Sequence, residues 1–403
     1  MSWEDKELEE LTLYVKRGVS PKYVLENGIP IVNQRCIREN TINFDTARLS
    51  SKDKKITEVK FLQVGDTVIN STGVGTLGRT AFVKKLDQPS SADTHVTIVR
   101  PDKTKVNPKF LSLYLNSQED IIENMGRGAT GQTELSAKDL NELKVFHPKS
   151  LQTQKRIADI LSAYDDLIEN NLKRIKLLEQ AAQNIYKEWF VNMRFPGHEN
   201  TAINEETGLP EGWEKVSFSS IVSINPKTRV KKGLIAPFVP MKSISEFSMV
   251  IGPIEKRPVS GGVKFKNGDT LFARITPCLE NGKTGFVQFM ENEDEIAVGS
   301  TEYIVFRETV QAGRYFIYCT SREPYFRENA IKSMSGSDGR QRVKVECFDK
   351  YSLNLASSSI RSLFEDSSKP IFKAIQIMVN QNDKLKAARD ILLPRLMNRT
   401  IEV

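Results

Sequence analysis

The stretch LQTQKRIADILSAYDDLIENNLKRIKLLEQAAQNIYKEWF, residues 151–190, contains no glycine and no proline and is the longest unbroken helical pattern in the chain. Apolar residues recur at Leu161, Ile168, Ile175, Ala182 and Trp189, and again at Ile157, Tyr164, Leu178 and Ile185. This alternating four-three spacing is that of a coiled-coil seam. Only Asn171 interrupts the second row. At about 1.5 Å per residue such a helix would reach roughly 60 Å, more than one compact domain needs. The pattern predicts a strut, and a strut needs a partner.

The partner lies between 371 and 397, where Ile371, Met378, Leu385 and Leu392 stand seven apart, with Ala374, Gln381 and Ala388 three residues after the first three. Adding 210 to the first helix superimposes Leu161 on Ile371, Ile168 on Met378, Ile175 on Leu385 and Ala182 on Leu392, and sets Asn171 on Gln381. Amides buried at matched seam positions fix register at some cost in stability. The interface between the helices is therefore expected at Leu161, Ile168, Asn171, Ile175, Leu178, Ile371, Met378, Gln381, Leu385 and Leu392.

The landmarks around these helices also occur twice. Trp3-Glu4 with Leu8 and Leu11 returns as Trp213-Glu214 with Phe218 and Ile221. Gly-Asp-Thr stands at 65–67 and 268–270, each time turning into a strand of alternating character. A Gly-rich loop then leads to Gly78-Arg79-Thr80 or Gly282-Lys283-Thr284, and a strand ending in arginine follows, HVTIVRP or EYIVFRE. Next come amphipathic helices around 111–122 and 314–330. After them stand Gly-x-x-Gly turns with a nearby glutamine, Gly128, Gly131 and Gln132 against Gly336, Gly339 and Gln341. Matching order over nearly the whole length is the mark of duplication. The organisation read from it is a first α+β domain (1–150), a long helix (151–194), a polar, turn-rich linker (195–212), a second α+β domain (213–360) and a C-terminal long helix (361–403).

Length and composition agree. A chain of 403 residues suits two to four domains, and 39% hydrophobic with 27% charged residues is a soluble, globular composition. No apolar run approaches the roughly 20 residues that span a bilayer, and MSWEDKELEE lacks a signal-peptide pattern. Cys36, Cys278, Cys319 and Cys347 form no Cys-x-x-Cys pair, which points to a reducing compartment, the cytoplasm. The net charge of +7 is unevenly placed: residues 213–360 hold 21 basic against 16 acidic residues, whereas 151–190 hold six of each. A surplus of this size suits an anionic partner without demanding one.

Catalytic motifs are sought and not found. Gly73, Gly75 and Gly78 match the dinucleotide fingerprint, but the run that follows, Arg-Thr-Ala-Phe-Val, is strand-like where the fingerprint wants a helix, so a hairpin loop is expected. Asp53 with Glu58 and Lys60, or Asp102 with Glu142 and Lys144, could imitate a metal-dependent nuclease site, yet such sets arise by chance in a chain this charged. Asn107-Pro108-Lys109 and Asn225-Pro226-Lys227 fall short of an amino-methyltransferase motif. His95, His147 and His198 have no partner at ligand or triad spacing and read as surface or loop residues.

Taken together, the two divergent domains each closed by a long helix, Gly-Asp-Thr-Val-Ile-Asn at 65–70, the run from Ile160-Leu161 to Trp189-Phe190, Phe195-Pro196-Gly197, Leu209-Pro210-Glu211-Gly212-Trp213 and the ending Arg389-Asp390-Ile-Leu-Leu-Pro394-Arg395-Leu396-Met397 resemble the specificity subunit of type I restriction-modification enzymes. The resemblance covers essentially the whole chain. It implies an α+β fold of two pseudo-symmetric target recognition domains separated by two long helices packed as an antiparallel coiled coil. It also implies a non-catalytic subunit that binds double-stranded DNA, each domain reading half of a split site while the helices set the spacer. Two modification subunits using S-adenosylmethionine would dock on the helices, and two restriction subunits using ATP and Mg could join; the chain itself would hold no cofactor or metal.

Reading bases requires Arg, Lys, Asn or Gln at groove edges, with further cations at phosphates. The candidates are Arg35, Lys52, Lys54, Lys55, Thr72, Arg79 and Gln132 in the first domain. In the second they are Lys227, Arg229, Lys231, Lys232, Arg274, Lys283, Arg340, Arg342 and Lys344. They are chosen because both halves place cations beside the Gly-Asp-Thr strand and the Gly-x-x-Gly turn. The competing reading is a helical scaffold whose two domains bind proteins; a gel shift against random duplexes separates the two.

Overall fold

Each Gly-Asp-Thr turn opens the central strand of its half, Thr67–Asn70 and Thr270–Ala273, and both strands are buried at every position. The expected alternation is present, but it runs between two cores rather than between core and solvent. Ile69 faces a core built with helix Pro108–Ser117, while Val68 faces a second core between two sheets. Phe272 and Leu271 divide in the same way in the second half. A strand sandwiched between two apolar layers is covered on both faces.

The computed structural model describes residues 2–38, 40–128, 133–292, 294–337 and 339–403. It divides into unit 1 (Met1–Leu167 with Lys384–Val403) and unit 2 (Ile168–Asp383). In unit 1 the central antiparallel sheet has the spatial order Thr12–Arg17, Val96–Pro101, Thr67–Asn70, Thr80–Phe82. Unit 2 repeats it as Ser223–Ile224, Tyr303–Arg307, Thr270–Ala273, Thr284–Phe286. The second sheet of each unit is built on a parallel pair, Ile29–Val32 with Ser91–Ala92 and Ile235–Val239 with Ala297–Gly299. A closing ribbon joins Trp3–Glu7 to Lys144–Pro148, and Glu214–Ser217 to Ser352–Leu355.

The repeated aspartate and the repeated strand-end arginine are two halves of one contact. Asp66 accepts from Arg100 Nε (2.9 Å) and Nη2 (2.8 Å), and Asp269 accepts from Arg307 Nε (2.7 Å) and Nη2 (2.7 Å). Each carboxylate also accepts the amide of the residue three positions earlier, Gln63 or Lys266, at 2.8 Å. The glycine before each aspartate has a left-handed φ, +104° at Gly65 and +89° at Gly268, which a side chain would resist. Gly-Asp-Thr is thus a turn whose aspartate ties the central strand to its neighbour.

The single helices expected around 111–122 and 314–330 are each two. Unit 1 has Pro108–Ser117 and Glu119–Asn124; unit 2 has Arg314–Arg322 and Pro324–Lys332. In unit 2 the break follows from Pro324, which pushes Glu323 into an extended conformation (ψ 136°). His147, expected on the surface, is buried on its closing strand, where Gln154 Nε2 lies 3.3 Å from its Nδ1. The 195–212 segment is tied down at its ends: Phe195 and Trp213 are buried and stack at 5.1 Å.

The first long helix runs Leu151–Tyr186 and ends in a π-helical turn, Lys187–Val191. The C-terminal helix runs Ser358–Met397 and contains Pro370. A proline there removes one helical hydrogen bond, but Phe364 and Ser368 on the preceding turns are fully buried and hold them helical. In unit 2 the helices pack antiparallel: Asn171 Nδ2 donates to Asn382 Oδ1 (2.9 Å), and Trp189 meets Phe364 at 5.9 Å. Unit 1 shows the same sense, with Arg389 Nη1 on Asp165 Oδ1 (2.8 Å) and Leu161 and Ile157 in one core with Leu393 and Leu396.

Leu161, Ile168, Asn171, Ile175 and Met378 are buried; Leu178, Ile371, Leu385 and Leu392 are half-buried. Gln381 is exposed, and the buried amide opposite Asn171 is Asn382. The second helix keeps the four-then-three order of the first, so its inner row is Ile375, Asn382 and Arg389, one residue beyond Ala374, Gln381 and Ala388, and continues to Leu396.

Candidate nucleic-acid interface

In unit 1, strand Ile29–Val32 ends in a 3-10 turn, Gln34–Cys36, capped by Asn33 Oδ1 accepting from Arg35 N (2.9 Å). The turn exposes Arg35, which with Arg38, Thr41, Asn43 and Thr46 lines an open hollow of about 550 Å³. Gln34 Nε2 donates to the carbonyl of Thr72 (2.5 Å) and to its hydroxyl, and that hydroxyl lies 2.9 Å from His95 Nδ1. Arg35 and Thr72 are thereby brought to one surface. Burial raises the carboxyl of Asp93 beside them, opposed by the His95 amide it accepts at 2.8 Å.

The Gly73–Gly78 fingerprint joins two antiparallel strands, Thr67–Asn70 and Thr80–Phe82, and so is a hairpin loop. Arg79 turns back onto it, donating to Gly75 O at 2.6 Å. Lys52, Lys54 and Lys55 are exposed on the turn after strand Arg48–Ser50. Arg127 and Glu134 pair as the base of a short hairpin, and Glu134 bridges to Thr72. Gln132 lies outside the described residues.

Unit 2 places the same parts differently. Its counterpart of the Gln34–Cys36 turn is Met241–Ser243, which exposes Lys242, 3.4 Å from Glu255. Lys283 is half-buried and supports this turn by donating to Met241 O (3.2 Å). Arg274 is also half-buried, donating through Nη2 to Val343 O (3.2 Å). Lys227, Arg229, Lys231 and Lys232 are all exposed on the loop before strand Ile235–Val239. Ser335 and Arg342 pair as the base of a hairpin, and Arg342 bridges to Ile275. Arg340 and Lys344 are exposed, but Arg342 is held by Glu302 through Nε (2.9 Å) and Nη2 (2.7 Å), and its hydrogen bonds keep the Glu302 carboxyl below the usual range.

Of the chosen cations, Arg79, Arg274, Lys283 and Arg342 are therefore engaged within the protein, while Arg35, the 52–55 and 227–232 groups, Arg340 and Lys344 face solvent. Sequence reasoning missed Arg38, Asn43 and Lys242, and an aromatic pairing found in both units: Arg48 over the Tyr23 ring at 3.3 Å and Arg257 over Phe238 at 3.6 Å. The signal was present in Ile-Pro-Ile-Val-Asn-Gln-Arg (29–35) against Ala-Pro-Phe-Val-Pro-Met-Lys (236–242), an eighth repeated landmark that aligns Arg35 with Lys242. Among the described residues no group of three or more His, Cys, Asp or Glu could hold a metal, and no helix is long and apolar enough to cross a membrane. Each unit, described by itself, exposes guanidinium or ammonium groups on its loops, groups that can hydrogen-bond an anion.

The architecture is that of a type I restriction-modification S subunit: the crystal structure of that subunit from M. genitalium superposes with a TM-score of 0.56 at 14% identity, covering 98% of this chain and 96% of the other. Residues 2–180 match the type I restriction modification DNA specificity domain. The type I restriction enzyme HindI specificity subunit of Haemophilus influenzae is 21% identical over 473 aligned positions, 99% of each chain. The MjaIX specificity subunit of Methanocaldococcus jannaschii is 24% identical over 294, which is 70% of this chain and 66% of that one. Residues 2–180 thus carry the type I specificity domain, and the chain as a whole is similar to specificity subunits of type I restriction enzymes.

Proposed function

We propose that each unit reads one half of a bipartite site on double-stranded DNA, and that the long helices set the spacer and dock two methyltransferase subunits. The chain supplies recognition and no chemistry; its partners bring S-adenosylmethionine and, where two restriction subunits join, ATP and Mg, in the cytoplasm. The observation that carries this is the doubled scaffold. Both units present a cation from the same 3-10 turn, Arg35 and Lys242, and both set a short hairpin against the loop that leaves the central strand. Two copies of one reader, tied into one chain by helices that contribute to both units, suit a split site at fixed spacing. Ile160 and Leu167 in unit 1 and Leu172 and Leu177 in unit 2 are large apolar side chains left exposed on the first helix, and they support docking there.

Because Asn171 faces Asn382, the spacer is tested by inserting matched heptads, one after Asn171 and one before Asn382, in a host that carries the chain with its methyltransferase. Long-read mapping of methylated adenines is expected to show both half-sites unchanged and the spacer lengthened. Altered half-sites at the original spacing would refute the assignment of spacing to the helices.

A further inference from the structure

The two short hairpins are anchored alike but with opposite charge. In unit 1, Glu134 on the hairpin forms an ion pair with Arg17 of strand Thr12–Arg17, and Arg17 Nη2 also donates to Leu135 O (2.8 Å). In unit 2 the residue with the same bridge pattern is Arg342, and its partner Glu302 stands just before strand Tyr303–Arg307. Glu134 and Arg342 occupy one structural position: each pairs with the other base residue of its hairpin (Arg127, Ser335) and bridges to the loop leaving the central strand (Thr72, Ile275). The partners come from different strands, so what the two copies share is an ion pair that neutralises this position within its own unit, not a cation there.

Arg342 is thus a poor candidate for touching DNA, since its Nε and Nη2 are both taken by Glu302. Arg340 is different. It follows Gly339 (φ +77°), its N donates to Ser337 O (3.0 Å), and its side chain is exposed. The hairpin beneath it is fixed on two more sides: Thr276 N donates to Gln341 O (3.1 Å), and Val343 N donates to Arg274 O (2.8 Å). A planar guanidinium presented from a held backbone is the group that pairs with guanine O6 and N7.

We propose that Arg340 reads a guanine in the half-site of unit 2, and that the Glu302–Arg342 pair is the brace that holds its hairpin in reading position. This rests on the DNA-reading function proposed above. The test uses the full chain assembled with its methyltransferase subunits, selected against a pool of random duplexes. For the parent, enrichment of a bipartite motif is expected; if no motif emerges, the DNA-reading function itself falls. Given a motif, Arg340→Ala and Arg340→Lys should each lose preference at one guanine by roughly 10- to 100-fold, the discrimination of one bidentate pair, with the other half-site unchanged. Arg340→Lys keeps the charge, so full preference in that variant would place Arg340 at a phosphate and overturn the assignment. Glu302→Arg or Arg342→Glu alone should blunt the same preference. The double exchange E302R/R342E should restore it to within about threefold. Failure of the exchange to restore it would refute the brace.

Discussion

Asp269→Ala removes the carboxylate around which the central sheet of unit 2 is tied. The Asp269 side chain is 1% exposed and that of Arg307 18%, so the substitution leaves a largely buried guanidinium whose remaining partner is Thr228 Oγ1 at 3.2 Å, and strips the Lys266 amide of its acceptor. Breaking a buried pair from one side costs about 3–5 kcal/mol, because the surviving charge is uncompensated. The internal repeat sharpens this estimate. In unit 1, Asp66→Ala leaves Arg100 with two carbonyl acceptors, Phe61 O at 2.7 Å and Val59 O at 3.1 Å, so its loss belongs at the lower end, about 3 kcal/mol, against about 5 kcal/mol for Asp269→Ala. Urea unfolding followed by tryptophan emission separates the units, since Trp3 lies in unit 1 and Trp189 and Trp213 in unit 2; a Trp3→Phe background reports unit 2, and its difference from the parent reports unit 1. Replacing both partners in unit 2, Asp269→Ala with Arg307→Met, should recover a substantial part of the loss. A shift under about 1 kcal/mol for Asp269→Ala, or a larger one for Asp66→Ala, would refute the view that these turns are held by their ion pairs.

Two further outcomes follow from buried polar groups in the helix region. Asn171→Leu should lower the thermal midpoint, since it strands a buried Asn382 amide at a cost of about 1–3 kcal/mol; Asn171→Leu with Asn382→Leu should raise the midpoint above that of the parent, and a single variant as stable as the parent would show the amide pair to be idle. Glu365 accepts the amides of Phe316 (2.9 Å) and Tyr315 (3.3 Å), and burial, with Glu308 adding, pushes its carboxyl up to about 7. A carboxyl raised on folding binds its proton more tightly in the folded state, so its contribution is complete below the ordinary value of 4.5 and is lost as pH rises through about 7. Unit 2 should therefore lose up to about 3 kcal/mol between pH 5 and 8, and Glu365→Gln should flatten that slope. Glu179, raised in the same direction by burial, adds to the parent slope, so the difference between parent and variant decides the matter.

The helices and the duplication were legible because each rests on a period. The heptad rows over 151–190 needed no knowledge of the partner, and the repeated turns kept their order whatever their loops did. What failed was phase and strength. Asn171 was matched to Gln381 by a fixed offset, yet antiparallel helices meet by a rule in which one number rises as the other falls, and that rule selects Asn382. Pro370 lies inside the C-terminal helix, where the aromatic cluster around Phe364, which Tyr186, Trp189 and Phe190 all touch, outweighs one lost hydrogen bond. Local rules state what a residue prefers; only the packing states how much opposes it.

The surface was less legible, for a reason the repeat itself exposes. A cation in sequence carries no mark of whether its charge is spent inside the protein. Arg100 and Arg307 end their strands as conspicuously as any candidate, and both are committed to a buried aspartate. Arg342 was chosen beside Arg340 on equal grounds, two positions apart, and Glu302, forty positions away in the chain, separates them. The discriminating signal lies in comparing the copies: at one hairpin position unit 1 has Glu134 paired with Arg17 and unit 2 has Arg342 paired with Glu302, so the sign reverses while each is neutralised within its own unit, which marks structure. Arg35 and Lys242 behave in the opposite way, holding the same sign on the same turn while Gln34 and Met241 beside them change character. A sign retained without a shared internal partner is what an external anion would require, so the turns Gln34–Cys36 and Met241–Ser243 carry the more persuasive cation of each unit.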